Sequence, residues 1–310
     1  MPSSTPATGP ISSRIRRWVI AAFPRPPGGI DYEHPEGDPG LFGPDSATWR
    51  VHSELPSMLS GGLCALMLQV LHPLALAGVW DHSGFRDDLV GRLRRTTNFV
   101  AGTTYAATAD AEQLIARVTR IHDRVHGVAA DGRPYSANDP DLLTWVHVSE
   151  AFGFMQGYRR YSRTAMPAAT ADRYYAEVRV VAVRLGARNV PASESEVAEY
   201  FQSVRAQLTF DARSREVLAV LARIRLPVPM AGLSRNLFLG AGAALLPEWA
   251  QTMLGRSRLQ RAQAKISAGI LHTLSPLFQV ALPDGVAPRA CQRVGVPVAI
   301  LTRFNVRDSA

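Results

Sequence analysis

The sequence predicts an all-α protein, and three observations carry that prediction. Apolar residues recur at helical spacing, most clearly at Leu114, Val118, Ile121 and Val125, which fall within one narrow arc at about 100° per residue. Strand patterns are scarce, and no repeat of about 20–50 residues is present. With 310 residues, 46% of them hydrophobic, the chain can bury a large core. One large domain or two tightly packed ones both fit this length.

Local start and stop signals place the helices along the chain. Asp139 followed by Pro140 is an N-cap with proline at the first helical position. Ser193 and Glu196 form an S-x-x-E capping box, and Gly127 stands where a helix is expected to end. The predicted helices span residues 58–80, 87–108, 110–126, 140–161, 170–185, 193–208, 214–225, 257–271 and 288–293, with broken helix over 226–254.

The stretch from Met58 to Trp80 is uncharged but holds a histidine followed by a proline, His72 and Pro73. Its length would allow a membrane span, but that pair at mid-depth, Gln69 and three glycines favour a buried core helix. Pro73 must break or kink the helix, because it has no amide hydrogen and its ring crowds the carbonyl of Gln69. Such a kink could form a pocket, or His72 could be a hydrogen-bonded core histidine at the end of a helix.

Composition excludes several classes of protein. The net charge of +8 comes almost wholly from arginines spread along the chain, with Lys265 the only lysine, so no nucleic-acid partner is predicted. Cys64 and Cys291 have no metal-type spacing, and the absence of a disulfide framework suits a reducing, cytoplasmic compartment. The apolar run at residues 18–23 is too short for a signal peptide, and no stable membrane span is expected.

Four histidines in or beside apolar helices are the candidate chemical groups: His72, His122, His126 and His147. His122 lies at the border of the buried face of its helix, roughly 70° from the centre of the arc, and His126 lies roughly 110° from it. Gly127 as a C-terminal cap would put His126 in the final helical turn. Neutral imidazole from a dry helix is what haem iron requires as its proximal ligand.

Alternatives to haem stay open at this point. The spacing of His122 and His126 would also suit a zinc site, and hence a helical metal hydrolase, although no third ligand is evident. A non-catalytic helical protein that binds an apolar ligand or a membrane surface needs only an apolar pocket. The motifs GxGxxG, HExxH and GxSxG and the P-loop are all absent from the sequence.

A second group of residues shares one face of the helix predicted at 87–108. Arg92, Arg95, Thr96 and Phe99 lie three or four residues apart. Two arginines on one face repel each other unless an anion or a carboxylate lies nearby. The alternative is a solvated arginine face.

Five segments in order resemble the DUF2236 family, the oxygenase group that includes latex-clearing (rubber) oxygenase and the mycophenolic-acid oxygenase MpaB. The resemblance covers about residues 49–250. The segments are QVLHPLALAGVWDHSGF (69–85), RLRRTTNFV (92–100), RVTRIHDRVHG (117–127), YSANDPDLLTWVHVSEAF (135–152) and ADRYYAEVRVVAVRLG (171–186).

The resemblance implies a single globin-like helical domain with a haem b pocket, and an oxygenase that acts on a small apolar substrate with dioxygen. It places the proximal iron ligand on His122. The family's R-x-x-K-T segment at the distal pocket is similar to Arg92, Arg95 and Thr96, with Arg95 in place of the lysine. A guanidinium cannot lose its proton to bind iron, so Arg95 is expected to donate to dioxygen or to a haem propionate.

Further expectations concern the rest of the pocket and the limits of the domain. His72, Phe99, His126 and His147 are expected to contact the cofactor. Residues 1–48 are expected to form a flexible arm and loop, 49–250 the oxygenase-like domain, and 251–310 additional helices packed on it. The rubber enzymes are secreted and this sequence shows no signal, so polyisoprene is not the expected substrate.

Overall fold

The computed structural model describes residues 10–24, 28–225 and 230–304, and over these it confirms the all-α prediction. Within the arm and loop expected at 1–48, residues 1–9 and 25–27 lie outside the described residues. The helices are α1 (Pro10–Ala22), α2 (Ala47–His52), α3 (Leu55–Gln69), α4 (Pro73–His82), α5 (Leu89–Tyr105), α6 (Thr108–His122), α7 (Pro140–Tyr161), α8 (Ala168–Leu185), α9 (Glu194–Val204), α10 (Ala212–Ala222), α11 (Ala231–Ala244), α12 (Glu248–Met253), α13 (Arg258–Ala281) and α14 (Val286–Arg293). Short 3₁₀ turns cover Arg205–Gln207 and Val298–Thr302.

Helices α3 and α7 form the centre of the molecule, and glycines let their backbones touch. A Cβ atom on Gly61 would lie 2.5 Å from the carbonyl oxygen of Gly153, and one on Gly153 would overlap the carbonyl oxygen of Gly61. One turn further along, a Cβ atom on Gly157 would overlap the carbonyl oxygen of Ser57. No side chain fits in this crossing, so glycine there is a packing requirement.

We expect Gly153→Ala to lower the free energy of unfolding by about 2 kcal/mol, because overpacking a rigid backbone contact forces the helices apart. Gly269→Ala is the matched control, since the same change in α13 meets no atom within 4 Å. It should stabilise the protein by about 0.5–1 kcal/mol through helix propensity. Denaturant unfolding of the two variants measures both values. Equal effects at the two positions would contradict the packing argument.

The layers around this pair differ on its two sides. Helices α11 and α13 pack against α3, and α1 packs on α13. On the other side α5 and α6 pack on each other, α5 contacts α2 and α14, and α6 contacts α8. Helix α2 is buried along its whole length and connects the α5–α6 layer to the central pair.

The predicted break at Pro73 is confirmed. Helix α3 ends at Gln69, α4 begins at Pro73, and their axes are bent by 104°. His72 caps α4, where its Nδ1 accepts the amide hydrogen of Ala75 at 3.5 Å. No single helix among the described residues is long and apolar enough to cross a bilayer. Two bent pairs, α3 with α4 and α13 with α14, reach that length and apolarity only together.

The prediction that His126 occupies the last turn of a helix is wrong. Helix α6 ends at His122, and His126 begins a short antiparallel hairpin of β1 (His126–Val128) and β2 (Pro134–Ser136). Gly127 serves this hairpin, because a Cβ atom there would lie 2.8 Å from the hydroxyl of Tyr135. Tyr135, which makes this contact, is eight positions later in the chain, and a prediction of helix caps considers only the residues next to the cap.

Helix α13 is longer than the segment 257–271 that was predicted. It continues through Pro276 to Ala281. Proline leaves the carbonyl four residues earlier, that of His272, without its helical donor. The Nη2 atom of Arg163 donates to that carbonyl at 3.3 Å and replaces the missing hydrogen bond.

Candidate functional site

One face of the central helix α3 remains partly accessible. Leu59, Gly62, Leu66 and Gln69 are spaced three or four residues apart, so they share a face, and each is only half-buried. The other faces of α3 pack against α7, α11 and α13. Three of these four residues are apolar, so the accessible face of α3 is almost wholly apolar.

Helix α7 adds two titratable side chains beside this face. His147 and Glu150 are enclosed by protein atoms and nevertheless retain accessible surface. Burial raises the pKa of Glu150 to about 7, although a hydrogen bond from the side chain of Gln69 favours the charged form. Burial lowers the pKa of His147 to about 4. Near neutral pH the imidazole is therefore uncharged, and the carboxyl can hold or release a proton.

A buried hydrogen-bonded histidine lies next to these groups, and sequence reasoning missed it. The ring of His52 bonds through Nδ1 to the hydroxyl of Thr104 at 2.8 Å and through Nε2 to the hydroxyl of Tyr174 at 3.0 Å. Burial, and to a smaller extent the nearby His147, lowers the pKa of His52 to about 3. These residues come from α2, α5 and α8, so only a knowledge of the packing could have brought them together.

On α5, Arg92 is the sequence-predicted residue with the most unusual surroundings. Its guanidinium is largely desolvated, and this burial lowers its pKa, as does the like charge of Arg95. No carboxylate of the described residues forms an ion pair with Arg92. A desolvated and unpaired guanidinium is costly unless an anion completes the site.

The other predicted residues of α5 are more exposed. The side chain of Arg95 is 71% exposed, and its Nη1 lies 3.3 Å from a carboxylate oxygen of Asp88, the N-cap of the helix. The hydroxyl of exposed Thr96 donates to the carbonyl of Arg92 at 3.3 Å. Phe99 is half-buried. The face predicted from spacing therefore divides into an enclosed part at Arg92 and Phe99 and a solvated part at Arg95 and Thr96.

His122 is the last residue of α6 and has the second unusual environment. Its side chain is half-buried, and burial lowers its pKa against the opposite effect of Asp123. The Nδ1 atom is enclosed and has no hydrogen-bond partner. Buried polar atoms without a partner are rare and call for an explanation, of which a bound ion or group is one.

Two of the predicted histidines lie elsewhere. The exposed His126 is in the hairpin, where its backbone carbonyl accepts a hydrogen bond from His82 at 3.1 Å. His72 is 3% exposed, and its ring centre lies 5.9 Å from that of Trp145. The structure thus brings His147 together with His52, and it gives His72 a capping contact.

Comparison with known families identifies the chain. The sequence model of the catalytic domain of the family described as ER-bound oxygenase mpaB/B' and rubber oxygenase matches residues 49–279. This chain belongs to that family. The match confirms the resemblance and extends it from residue 250 into α13, while α1 lies outside it. Comparisons with curated proteins and with solved structures gave no match.

Membership in the mpaB/rubber oxygenase family makes the matched region an oxygenase catalytic domain. Within the part of the chain that the structure describes, no group of three or more His, Cys, Asp or Glu side chains could hold a metal ion. Haem iron needs only one protein ligand. The half-buried His122, whose pKa is lowered and whose enclosed ring nitrogen has no partner, and the desolvated Arg92, which has no carboxylate partner, fit such a group.

Proposed function

We propose that this chain is a haem b-dependent oxygenase that acts on a small apolar substrate with dioxygen. The observation that carries the proposal is the environment of His122, whose buried Nδ1 has no partner and whose pKa is lowered by burial. A neutral imidazole is the form that binds iron. His122 would hold the iron from the end of α6.

Arg92 supports the same proposal from α5. Its unpaired and desolvated guanidinium suits a carboxylate of the cofactor, because an arginine binds a carboxylate through two parallel hydrogen bonds. Helices α5 and α6 pack on each other, so His122 and Arg92 belong to the same layer. Helix α2 contacts both α5 and α3 and so links this layer to the central helices.

The apolar face of α3 supports the proposed substrate class. Leu59, Leu66 and the half-buried Val146 offer hydrocarbon surface, and Glu150 is the nearby group able to exchange a proton near neutral pH. A small apolar molecule would be held there by exclusion of water. When bound, haem would supply the activation of dioxygen that such a substrate needs.

The structure supports the other predicted contact residues to different degrees. Phe99 and His147 are enclosed and suit contact with a flat apolar cofactor. Arg95 and Thr96 would act from the solvated end of the distal side, and Arg95 would first have to leave Asp88. His72 would contribute as a wall residue. The exposed position of His126 in the hairpin gives no support for a contact with the cofactor, and His126 is left out of the proposed site.

The deciding experiment is the absorption spectrum of the full chain produced with an ample haem supply. We expect a Soret band and a pyridine haemochrome typical of haem b at about one haem per chain. Circular dichroism must show helical protein in the same sample. Folded protein that has no Soret band and takes up no added haemin would refute haem dependence, while family membership would stand.

A further inference from the structure

Helices α1, α11 and α13 form one outer layer. The Trp18 ring of α1 stacks on Phe238 of α11 at 5.7 Å and meets Phe278 of α13 edge-on at 6.4 Å. Phe238 and Phe278 also contact each other, with ring centres 6.1 Å apart. Three aromatic side chains thus hold the three helices in a fixed arrangement. We name the outward faces of these three packed helices together the α1–α11–α13 surface.

This surface is unusually apolar. Large apolar side chains exposed among the described residues number eleven, and six of them lie on these three helices. Each is between 49% and 67% exposed. The six are Ile20, Leu233, Leu259, Ile266, Ile270 and Val280.

On α13 the exposed residues form a continuous stripe. Leu259, Ile266 and Ile270 fall within roughly 40° of one another at about 100° per residue. The buried residues Ala264 and Ala268 lie on the opposite side of the helix. The stripe therefore faces away from the core. Its function is to be sought outside this chain.

The surface is also basic and has no acidic residue of its own. None of the chain's 26 acidic residues lies in α1, α11 or α13. Arg14 and Arg17 on α1 and Arg258 and Lys265 on α13 are exposed cations. At the edges, Asp284 pairs with Arg16, and Glu248 of α12 lies 4.0 Å from Arg261. The exposed cations named above are not engaged in these pairs.

Exposed apolar side chains with exposed cations beside them are the pattern of a helix face that lies in the interface of a membrane. We propose that the α1–α11–α13 surface docks this protein on an anionic lipid bilayer. Leu259, Ile266 and Ile270 would enter the region between headgroups and acyl chains, and Arg258 and Lys265 would meet lipid phosphates. Charge complementarity favours lipid over a second copy of the chain, because a two-fold interface would set these cations against each other.

The proposal does not depend on haem. The region matched by the family includes α11 and most of α13 but not α1. Helix α1 lies outside the matched region 49–279, so half of the exposed basic groups named above belong to a segment that the family's catalytic domain does not include. This segment places additional arginines beside α13.

Co-sedimentation with vesicles tests the proposal on the full chain. We expect wild-type protein to bind phosphatidylcholine vesicles that contain about 30% phosphatidylglycerol, to bind pure phosphatidylcholine at least about tenfold more weakly, and to lose affinity as salt rises. Ile266→Asp should weaken binding to anionic vesicles by about tenfold or more, because it removes a buried apolar group and adds a repelling charge.

Val183→Asp is the matched control, because it makes the same kind of change at a 54% exposed position on α8. It should leave vesicle binding unchanged. The proposal is wrong if wild-type protein ignores anionic vesicles, or if the two variants bind equally. Light scattering after gel filtration supplies the other outcome: a wild-type dimer that Ile266→Asp dissociates would assign this surface to a second copy instead.

Discussion

Replacing His122 with alanine is expected to remove haem from the protein. The change deletes the one imidazole that combines a helix terminus, a pKa lowered by burial and an unpartnered ring nitrogen. Loss of an iron ligand should weaken haem affinity by about 100-fold. The ratio of Soret to protein absorbance, together with titration of haemin into haem-free protein, measures the loss.

His126→Ala is the control for this experiment. It removes the same side chain four residues later, at an exposed position in the hairpin. Haem content and affinity should match the wild type. Full haem occupancy in folded His122→Ala protein would disprove the ligand assignment without disproving haem dependence. Loss of haem from His126→Ala alone would transfer the assignment to that residue.

His122 and Arg92 share a property that a folded chain rarely tolerates without a reason. Both side chains are half-buried; the Nδ1 atom of His122 is enclosed without a hydrogen-bond partner, and the largely desolvated guanidinium of Arg92 has no carboxylate partner among the described residues. The neighbouring histidines differ, since both ring nitrogens of His52 are bonded and His72 caps a helix. The contrast separates groups whose hydrogen bonds stabilise the fold from the two groups that we propose as ligand contacts.

Local signals in the sequence were sufficient for most helices. Asp139 and Pro140 begin α7 as predicted, with the carboxylate of Asp139 accepting amide hydrogens of α7. Gly186 ends α8 in the left-handed conformation that glycine favours. These features depend on residues next to one another in the chain. A pattern of neighbours is enough to predict them.

The candidate site was predicted only in part, because it depends on contacts between distant residues. His52 and Tyr174 are 122 positions apart, and nothing near either residue indicates that they meet. The spacing on α5 correctly grouped Arg92 with Arg95. It could not indicate that Asp88 draws Arg95 toward solvent while Arg92 remains enclosed. His126 was misplaced for the same reason, since a hairpin partner overrode the helical pattern.

Replacing Glu150 with glutamine should stabilise the haem-free protein at alkaline pH. Burial raises the pKa of Glu150 to about 7 from its ordinary value of 4.5. Between these values the folded protein holds a proton that the unfolded chain has released, so the contribution of Glu150 to stability is complete below pH 4.5 and is lost as pH rises through 7. Glutamine stays neutral, and at pH 8 the variant should be more stable by about 3 kcal/mol at most.

The measurement is the difference in free energy of unfolding between Glu150→Gln and wild type from pH 5 to pH 8. The lowered pKa values of the buried histidines act in the opposite direction: they make the folded protein less stable as pH falls below the ordinary pKa of histidine. This effect is the same in both proteins and cancels in the difference. The difference should therefore grow with pH and level off above about 7. Glu199→Gln, the same change at an exposed position of α9, should give a flat difference near zero. A flat curve for Glu150→Gln as well would mean that the carboxyl is solvated in solution, and that the space beside α3 is open to water and unsuited to an apolar substrate.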